Sequence, residues 1–317
     1  MDLLSDVIAV TRTGRPRSAY VRWHAPWGQE FASVPGSAGF QVVLRGSCWL
    51  LPPDAEPVRL GAGDVVFLPH GRGHTLADSP EGLLTAPACG PDDPRPFESE
   101  GPAGVHASDS VDRSGNGGPV TVLLCGAYQL DPSRAHPLLR TLPDLIHLPA
   151  RAGRHPRLSS AVELLAAELE SPGLGTDAAV PALLDTLLLY LLRGWLTEQP
   201  AQGSPTGWAA ALNDPPVTAA LRAIHQDPAA PWTVAELAVA AGLSRAPFAR
   251  RFALLVGQPP LGYLTWWRMT TAARLLRTTR APLRSIAAQV GYTSEFAFAN
   301  AFKRTHGSAP GSYRRSG

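Results

Sequence analysis

The side chains able to do chemistry in this 317-residue chain fall into two groups. The first comprises Cys48, Cys89 and Cys125, with His24, His70 and His74 in the same half of the sequence. Zinc takes imidazole nitrogen and thiolate sulfur as ligands, so His24, His70, His74 and Cys125 form a candidate metal set. A thiol of depressed pKa would sense oxidants, which makes Cys48, Cys89 and Cys125 candidate effector or redox residues. Cys48 and Cys125 stand in apolar runs, where a cysteine by default packs as a small hydrophobe. The second group is cationic. From Pro216 to Gly317 there are thirteen Arg or Lys against three Asp or Glu, although the whole chain carries only +2. The rest is therefore acidic. A segment this basic has the footprint of a polyanion binder, because phosphate contacts supply most of the affinity and make it salt-dependent.

The elements that must position those cations are written twice. TVAELAVAAGLSRAPFARRFALLVGQPPLGYL is followed by LRSIAAQVGYTSEFAFANAFKRTHGSAPGSYR. Phe248, Phe252, Gly257, Pro260 and Tyr263 recur fifty positions on as Phe298, Phe302, Gly307, Pro310 and Tyr313. Upstream of the turn the displacement is forty-nine, pairing Leu237, Ala238 and Gly242 with Ile286, Ala287 and Gly291. Each copy reads as two helices around a tight bend. In the first, Val234, Leu237, Ala238 and Ala241 form an apolar face, Gly242 turns the chain and Ser244 is placed to cap a second helix buried through Phe248 and Phe252. In the second, Thr293 or Ser294 caps. That is the outline of a helix-turn-helix, whose second helix enters the DNA major groove.

With its long connecting helix and the ending Gly307, Pro310, Tyr313, Arg314, this segment resembles the DNA-binding domain of the AraC/XylS family of bacterial transcription regulators. The connecting helix is expected from about Pro260 to Thr278, with Leu264, Trp267, Ala272, Leu275 and Leu276 inward. The resemblance implies two recognition helices on one side of the duplex, about 34 Å apart. Outward positions on the first are Arg245, Ala246, Ala249 and Arg250; on the second they are Glu295, Phe296, Ala299 and Asn300. Arg250 matches the family position whose arginine reaches base edges, and a guanidinium grips guanine O6 and N7 in a bidentate manner. Asn300 stands where arginine is common and would pair with adenine instead; Phe296 would touch a thymine methyl or pack on Tyr292. Arg251, Arg277, Arg284, Lys303 and Arg304 are candidate phosphate contacts.

From Tyr20 to about Leu130 the punctuation is that of β structure. Phe40 to Leu51, Val58 to Leu60, Val65 to Leu68 and Val120 to Tyr128 are short apolar or alternating runs between Gly and Pro residues. Such spacing suggests a small barrel or jelly roll. The stretch from Gly63 through Pro69, Gly71 and His74 to Asp78 resembles the second cupin motif, G-x5-P-x-G-x2-H-x3-N, with Asp78 in place of asparagine. RGSCWL, LGAGDVVFLPHG and LLCGAYQLD look like the cupin-bearing subgroup of the AraC family. In metal-binding cupins a first motif adds two His and a Glu. The matching region, Gly36 to Gly46, has neither, and Gln41 is its nearest polar group. Some cupin-bearing members of the family sense reactive chlorine through cysteines.

The expected fold class is therefore α+β: a cupin-like β-barrel sensor over residues 1–150, a helical dimerisation or cover hairpin over 151–199, a linker over 200–215, and an all-α domain of two helix-turn-helix units over 216–317. Pro87 to Pro119 reads as a mobile loop. The apolar segment from Ala179 to Thr197, with leucines from Leu183 to Leu192, would either cover the barrel or pair two subunits, and a homodimer is the favoured arrangement. Met1 to Val10 lacks a basic n-region and a long apolar run, so no secretory signal is expected. No membrane span is expected either, since Ala178 to Leu192 contains Pro181 and Asp185. The expected protein is a cytoplasmic, non-enzymatic, sequence-specific regulator that binds double-stranded DNA and an unknown small-molecule effector, with RNA polymerase a candidate partner and zinc a candidate cofactor. The alternative is a cupin metalloenzyme or a DNA-repair alkyl acceptor carrying a DNA-binding module.

Overall fold

The computed structural model describes residues 3–11, 16–81, 84–85, 88–89, 106–108, 118–129, 137–150, 154–198 and 207–315. Helix α1 (Leu3–Thr11) precedes the strands β1 (Arg17–His24), β2 (Gly28–Phe31), β3 (Ser37–Arg45), β4 (Ser47–Leu51), β5 (Val58–Gly61), β6 (Val65–Leu68), β7 (His74–Ala77), β8 (His106–Ser108) and β9 (Val120–Gln129). After α2 (Pro137–Arg140) and β10 (Ile146–Leu148) the chain is helical: α3 (Pro156–Glu170), α4 (Thr176–Glu198), α5 (Trp208–Leu212), α6 (Pro215–Gln226), α7 (Val234–Ala240), α8 (Arg245–Val256), α9 (Pro260–Thr278), α10 (Leu283–Gln289), α11 (Glu295–His306) and α12 (Pro310–Arg315). Two compact units result: one holds the strands with α3 and α4, and the other joins α1 and α2 to residues 207–315.

The first unit is built of two sheets, ordered β10-β6-β3-β9-β1-β8 and β2-β7-β4-β5. All strand pairs are antiparallel except β1 with β8. Val43, Val66, Leu68, Leu123 and Cys125 from the first sheet and Cys48, Leu50, Leu60 and Leu76 from the second share one core with Trp27. The run from Phe40 to Leu51, continuous in sequence, is divided between the sheets at Gly46. Its φ of 80° suits glycine, and a Cβ there would stand 2.6 Å from the Val120 carbonyl oxygen. In the Gly63-Asp64 turn, Asp64 accepts from Gly61 N at 3.0 Å and from Ala150 N at 2.7 Å. That carboxylate fastens the β5–β6 turn to the end of β10.

Part of the expected 87–119 loop is ordered sheet. His106–Ser108 forms β8, and Cys89 makes backbone hydrogen bonds with β2 and the residue that follows it, donating to Glu30 O at 2.7 Å and accepting from Ala32 N at 2.9 Å. The other residues of that stretch, apart from 88, 118 and 119, lie outside the described ones. Leu158, Ala161, Val162, Leu165 and Leu169 of α3 are buried with Val180, Leu184, Leu187, Leu188, Leu191 and Leu192 of α4. α4 has the length and hydropathy of a membrane span. Five of its leucines are buried within this unit, where α4 packs on α3 and β10, and Tyr128 Oη donates to Leu184 O at 2.6 Å.

The second unit takes in elements from outside residues 216–317. The linker stretch 200–215 contains α5, whose Trp208 is 2% exposed and packs on Tyr263; residues 200–206 lie outside the described ones. α1, at the start of the segment expected to be the sensor, packs with buried Leu3 and Leu4 on the helices of the C-terminal unit, against α6 and α9. α6 starts where Asp214 Oδ1 accepts from Val217 N at 3.0 Å, immediately before two prolines that donate nothing.

Candidate nucleic-acid interface

The duplicated sequence becomes duplicated structure. α7 and α8 form one helix-turn-helix, α10 and α11 the other, and the turn glycines Gly242 and Gly291 have φ of 66° and 80°. Gly257 and Gly307 end the second helices in the left-handed conformation, at φ of 82° and 73°. Phe248 and Phe252, like Phe298 and Phe302, are fully buried. α9 covers Pro260–Thr278, as its sequence indicated, and lends Met269, Ala272, Ala273 and Leu276 to the second core.

Capping departs from expectation at one site. Thr233 and Glu236 make a reciprocal capping box at α7, and Ser294 Oγ accepts from Ala297 N at 3.3 Å at α11. The Glu236 carboxyl is held below its usual pKa by the Thr233 backbone and hydroxyl. Ser244 occupies the N-cap of α8 without a side-chain hydrogen bond. The third helical residue after it is Pro247, which has no N–H to offer.

Of the expected base-reading set, Arg245, Ala246, Arg250, Glu295, Phe296 and Asn300 are exposed, and Ala249 and Ala299 are partly so. Phe296 is 77% exposed, a large apolar side chain left on a helix face that a folded monomer does not need. Among the phosphate candidates Arg284, Lys303 and Arg304 are exposed and Arg277 is half-buried; none has an ion-pair partner among the described residues. Arg251 differs. Its Nε donates to Asp214 Oδ2 at 2.6 Å, so its guanidinium fastens α8 to the cap of α6.

In the barrel interior, His74 stacks on Phe31 with ring centroids 4.8 Å apart, and its Nε2 lies 3.1 Å from Gln41 Nε2. Burial drives the imidazole pKa down to about 4, so the ring is neutral and accepts from the Gln41 amide. Gln41 Oε1 is buried without a partner among the described residues. Cys125 is Gln41's register partner across β3 and β9. Burial pushes the Cys48 thiol up to about 12; it raises Cys125 too, and the neighbouring Cys89 and Cys48 add to that shift. These are thiols, not nucleophilic thiolates.

The candidate metal set is not assembled. His70 Nε2 is engaged with Leu142 O at 2.9 Å, His74 with Gln41 and Phe31, and His24 stands at the end of β1 opposite Val120. Among the described residues no group of three or more His, Cys, Asp or Glu is arranged to hold an ion. Among the described residues, this set of four does not fit zinc.

Three positions escaped sequence reasoning. Asp214 carried a readable signal, an N-cap residue before Pro-Pro. Arg268, in the middle of α9, carried none. The third is a buried chain joining α1 to α6 and α9: Asp6 Oδ2 lies 3.1 Å from His225 Nδ1, and His225 Nε2 lies 2.7 Å from Tyr263 Oη.

Comparison with known proteins agrees with this architecture. Residues 2–197 match the family model described as cupin, and residues 237–316 match one described as a helix-turn-helix domain. An AraC-like transcription regulator of Streptomyces antibioticus is 37% identical over 316 residues, covering 99% of each chain. The HTH-type transcriptional regulator AlkR of Acinetobacter baylyi is 29% identical, again over 99% of each. Among solved structures, the DNA-binding domain of AdpA in complex with a target DNA is 34% identical, covering 32% of this chain and 92% of that one, with a TM-score of 0.31. The chain belongs to the AraC-like transcription regulators. It pairs an N-terminal cupin domain with a C-terminal helix-turn-helix domain that binds double-stranded DNA.

Proposed function

We propose that this regulator is a cytoplasmic homodimer, without enzymatic activity, that reads DNA sequence through both recognition helices and takes a small-molecule signal in its barrel. The observation that carries the DNA reading is the unequal pair of exposed faces. Arg245 and Arg250 on α8 suit guanine; Asn300 and Phe296 on α11 suit adenine and the thymine methyl. Arg277, Arg284, Lys303 and Arg304 supply phosphate contacts, with RNA polymerase a candidate partner of the DNA-bound form. For the signal, the Gln41 amide has one unpaired end whichever way it is turned, in an interior with a neutral His74 and un-ionised thiols. That chemistry favours an uncharged, hydrogen-bonding molecule over an anion, and favours it over thiol oxidation at Cys48 or Cys125. Dimerisation through the α3–α4 hairpin is supported by Leu164 and Leu174, both exposed.

The test is selection of duplexes from a random library by the full chain at a fixed salt concentration. Enrichment of a bipartite motif is expected, with its two parts about one helical turn apart. Binding to all duplexes alike, weakening with salt but never selective, overturns the reading. Light scattering of the same sample reports the dimer.

A further inference from the structure

The two helix-turn-helix units are joined by more than a helix. Arg268, near the middle of α9, donates from Nε to Pro228 O at 2.7 Å and from a terminal nitrogen to Ala230 O at 2.8 Å. Those carbonyls belong to the loop that leads into α7, the start of the first unit. The same guanidinium lies 6.0 Å from the centroid of the Tyr292 ring, in the turn of the second unit. Gly291, next to Tyr292, is pressed against the group: an added Cβ would stand 2.7 Å from an Arg268 terminal nitrogen and 2.8 Å from the Ala229 carbonyl oxygen. The equivalent glycine of the first unit, Gly242, has nothing within 4 Å of such a Cβ. Both glycines serve a positive φ, but only Gly291 also serves a close approach. One planar, five-donor cation therefore meets the entry to one unit and the turn of the other at a single point, a geometry that lysine cannot reproduce.

We propose that Arg268 is a positioning residue that sets the distance and phase between the two recognition helices, and so the spacing of operator half-sites that the protein accepts. This inference rests on the DNA reading above. Inserting one base pair between half-sites rotates the second by about 35° and moves it by roughly 3.4 Å. A rigid pair of units tolerates neither, whereas units free to pivot accept both.

The experiment uses the full chain and the duplex that it enriches from a random library, rebuilt with one or two base pairs added to or removed from the centre. For the wild type, a one-base-pair change is expected to weaken binding about tenfold or more, as a mismatched contact does. In Arg268→Lys and Arg268→Gln the same change is expected to cost about threefold or less, while base preference within each half-site stays unchanged. Gly291→Ala is expected to flatten the profile as well, and Gly242→Ala, which meets the same φ strain without the close contact, is expected to retain the wild-type profile. If the Arg268 variants do not fold, Tyr292→Leu, which removes the ring under the guanidinium and keeps an apolar side chain against Phe298, carries the test, with its unfolding temperature measured alongside the spacing profile. A folded set of Arg268, Gly291 and Tyr292 variants with the wild-type spacing profile overturns the proposal and leaves sequence-specific binding intact. Failure of the wild type to enrich any motif overturns the DNA reading itself, and this inference with it.

Discussion

Tyr263 donates its hydroxyl to His225 Nε2 at 2.7 Å, which leaves the His225 proton on Nδ1, facing Asp6 Oδ2 at 3.1 Å. The imidazole also stacks on Trp267, with ring centroids 3.7 Å apart. Burial lowers the His225 pKa, against the opposing pull of Asp6, and raises that of Tyr263. The chain is thus neutral at the tyrosine–histidine end, and each buried polar atom in it has a partner. Tyr263→Phe leaves Nε2 an unpaired buried acceptor and is expected to cost about 1 to 3 kcal/mol, read as a lower urea midpoint for the C-terminal unit at unchanged m-value. An unchanged midpoint would show that the hydrogen bond contributes nothing net.

Phe252 anchors the first recognition helix at zero exposure, edge-on to Tyr263. Phe252→Ala removes that anchor and is expected to destabilise the unit by about 3 to 5 kcal/mol. Calorimetry checks this, and a loss below about 1 kcal/mol would mean that the site collapses around the deletion.

Neighbouring arginines on α8 are expected to behave differently. Arg250→Ala is expected to lower affinity for the enriched duplex by about 1 to 3 kcal/mol while leaving random DNA nearly unaffected; equal losses on both would reject base reading. Lys303→Ala is expected to reduce the salt slope by about 0.9, the value for one phosphate contact. Arg251→Ala is expected to leave that slope unchanged and to lower the unfolding temperature, because its guanidinium is committed to Asp214. A reduced slope would show that DNA takes Arg251 away from that carboxylate.

His74 gives the barrel a pH dependence of known sign. Its folded pKa of about 4 lies below the ordinary 6.5, so as pH falls the unfolded chain takes up the proton first. Stability is complete above pH 6.5 and declines between there and about pH 4, by an amount on the order of 3 kcal/mol. Urea unfolding across that window should show the slope in the wild type and a weaker one in His74→Gln. An identical slope in both would assign the dependence to other groups.

The helix-turn-helix pair was legible because its information is local and repeated. Phenylalanines, turn glycines and terminal Pro-x-x-Tyr recur in register, and one copy checks the other. Strands β6 and β9 were legible for a similar reason, an apolar run between turn residues. What stayed hidden depends on partners distant in sequence. Nothing around Arg251 announces Asp214, nothing around Asp6 announces His225, and Arg268 looks like any cation on a helix. Ser244 shows the local limit: its residue type suits a cap, yet a proline three places on removes the donor. Trp208 was absorbed into a Gly-, Ser- and Pro-rich stretch because a single aromatic carries no period. His24, His70, His74 and Cys125 were grouped by ligand chemistry and an expected place on the barrel's strands, but His70 falls between strands, engaged with Leu142 O, and His24 stands at the far end of β1 opposite Val120.

The seating of α1 bears on how the polypeptide is made. α1 leaves the ribosome about two hundred residues before α6 and α9, which form its berth. Leu3, Leu4 and Asp6 therefore spend most of synthesis with no surface to rest on, while every strand of the other unit is completed. Seating of α1 waits for α9 to emerge, and a growing chain stalled anywhere before Tyr263 holds a helix with Leu3 and Leu4 uncovered that chaperones or proteases can capture.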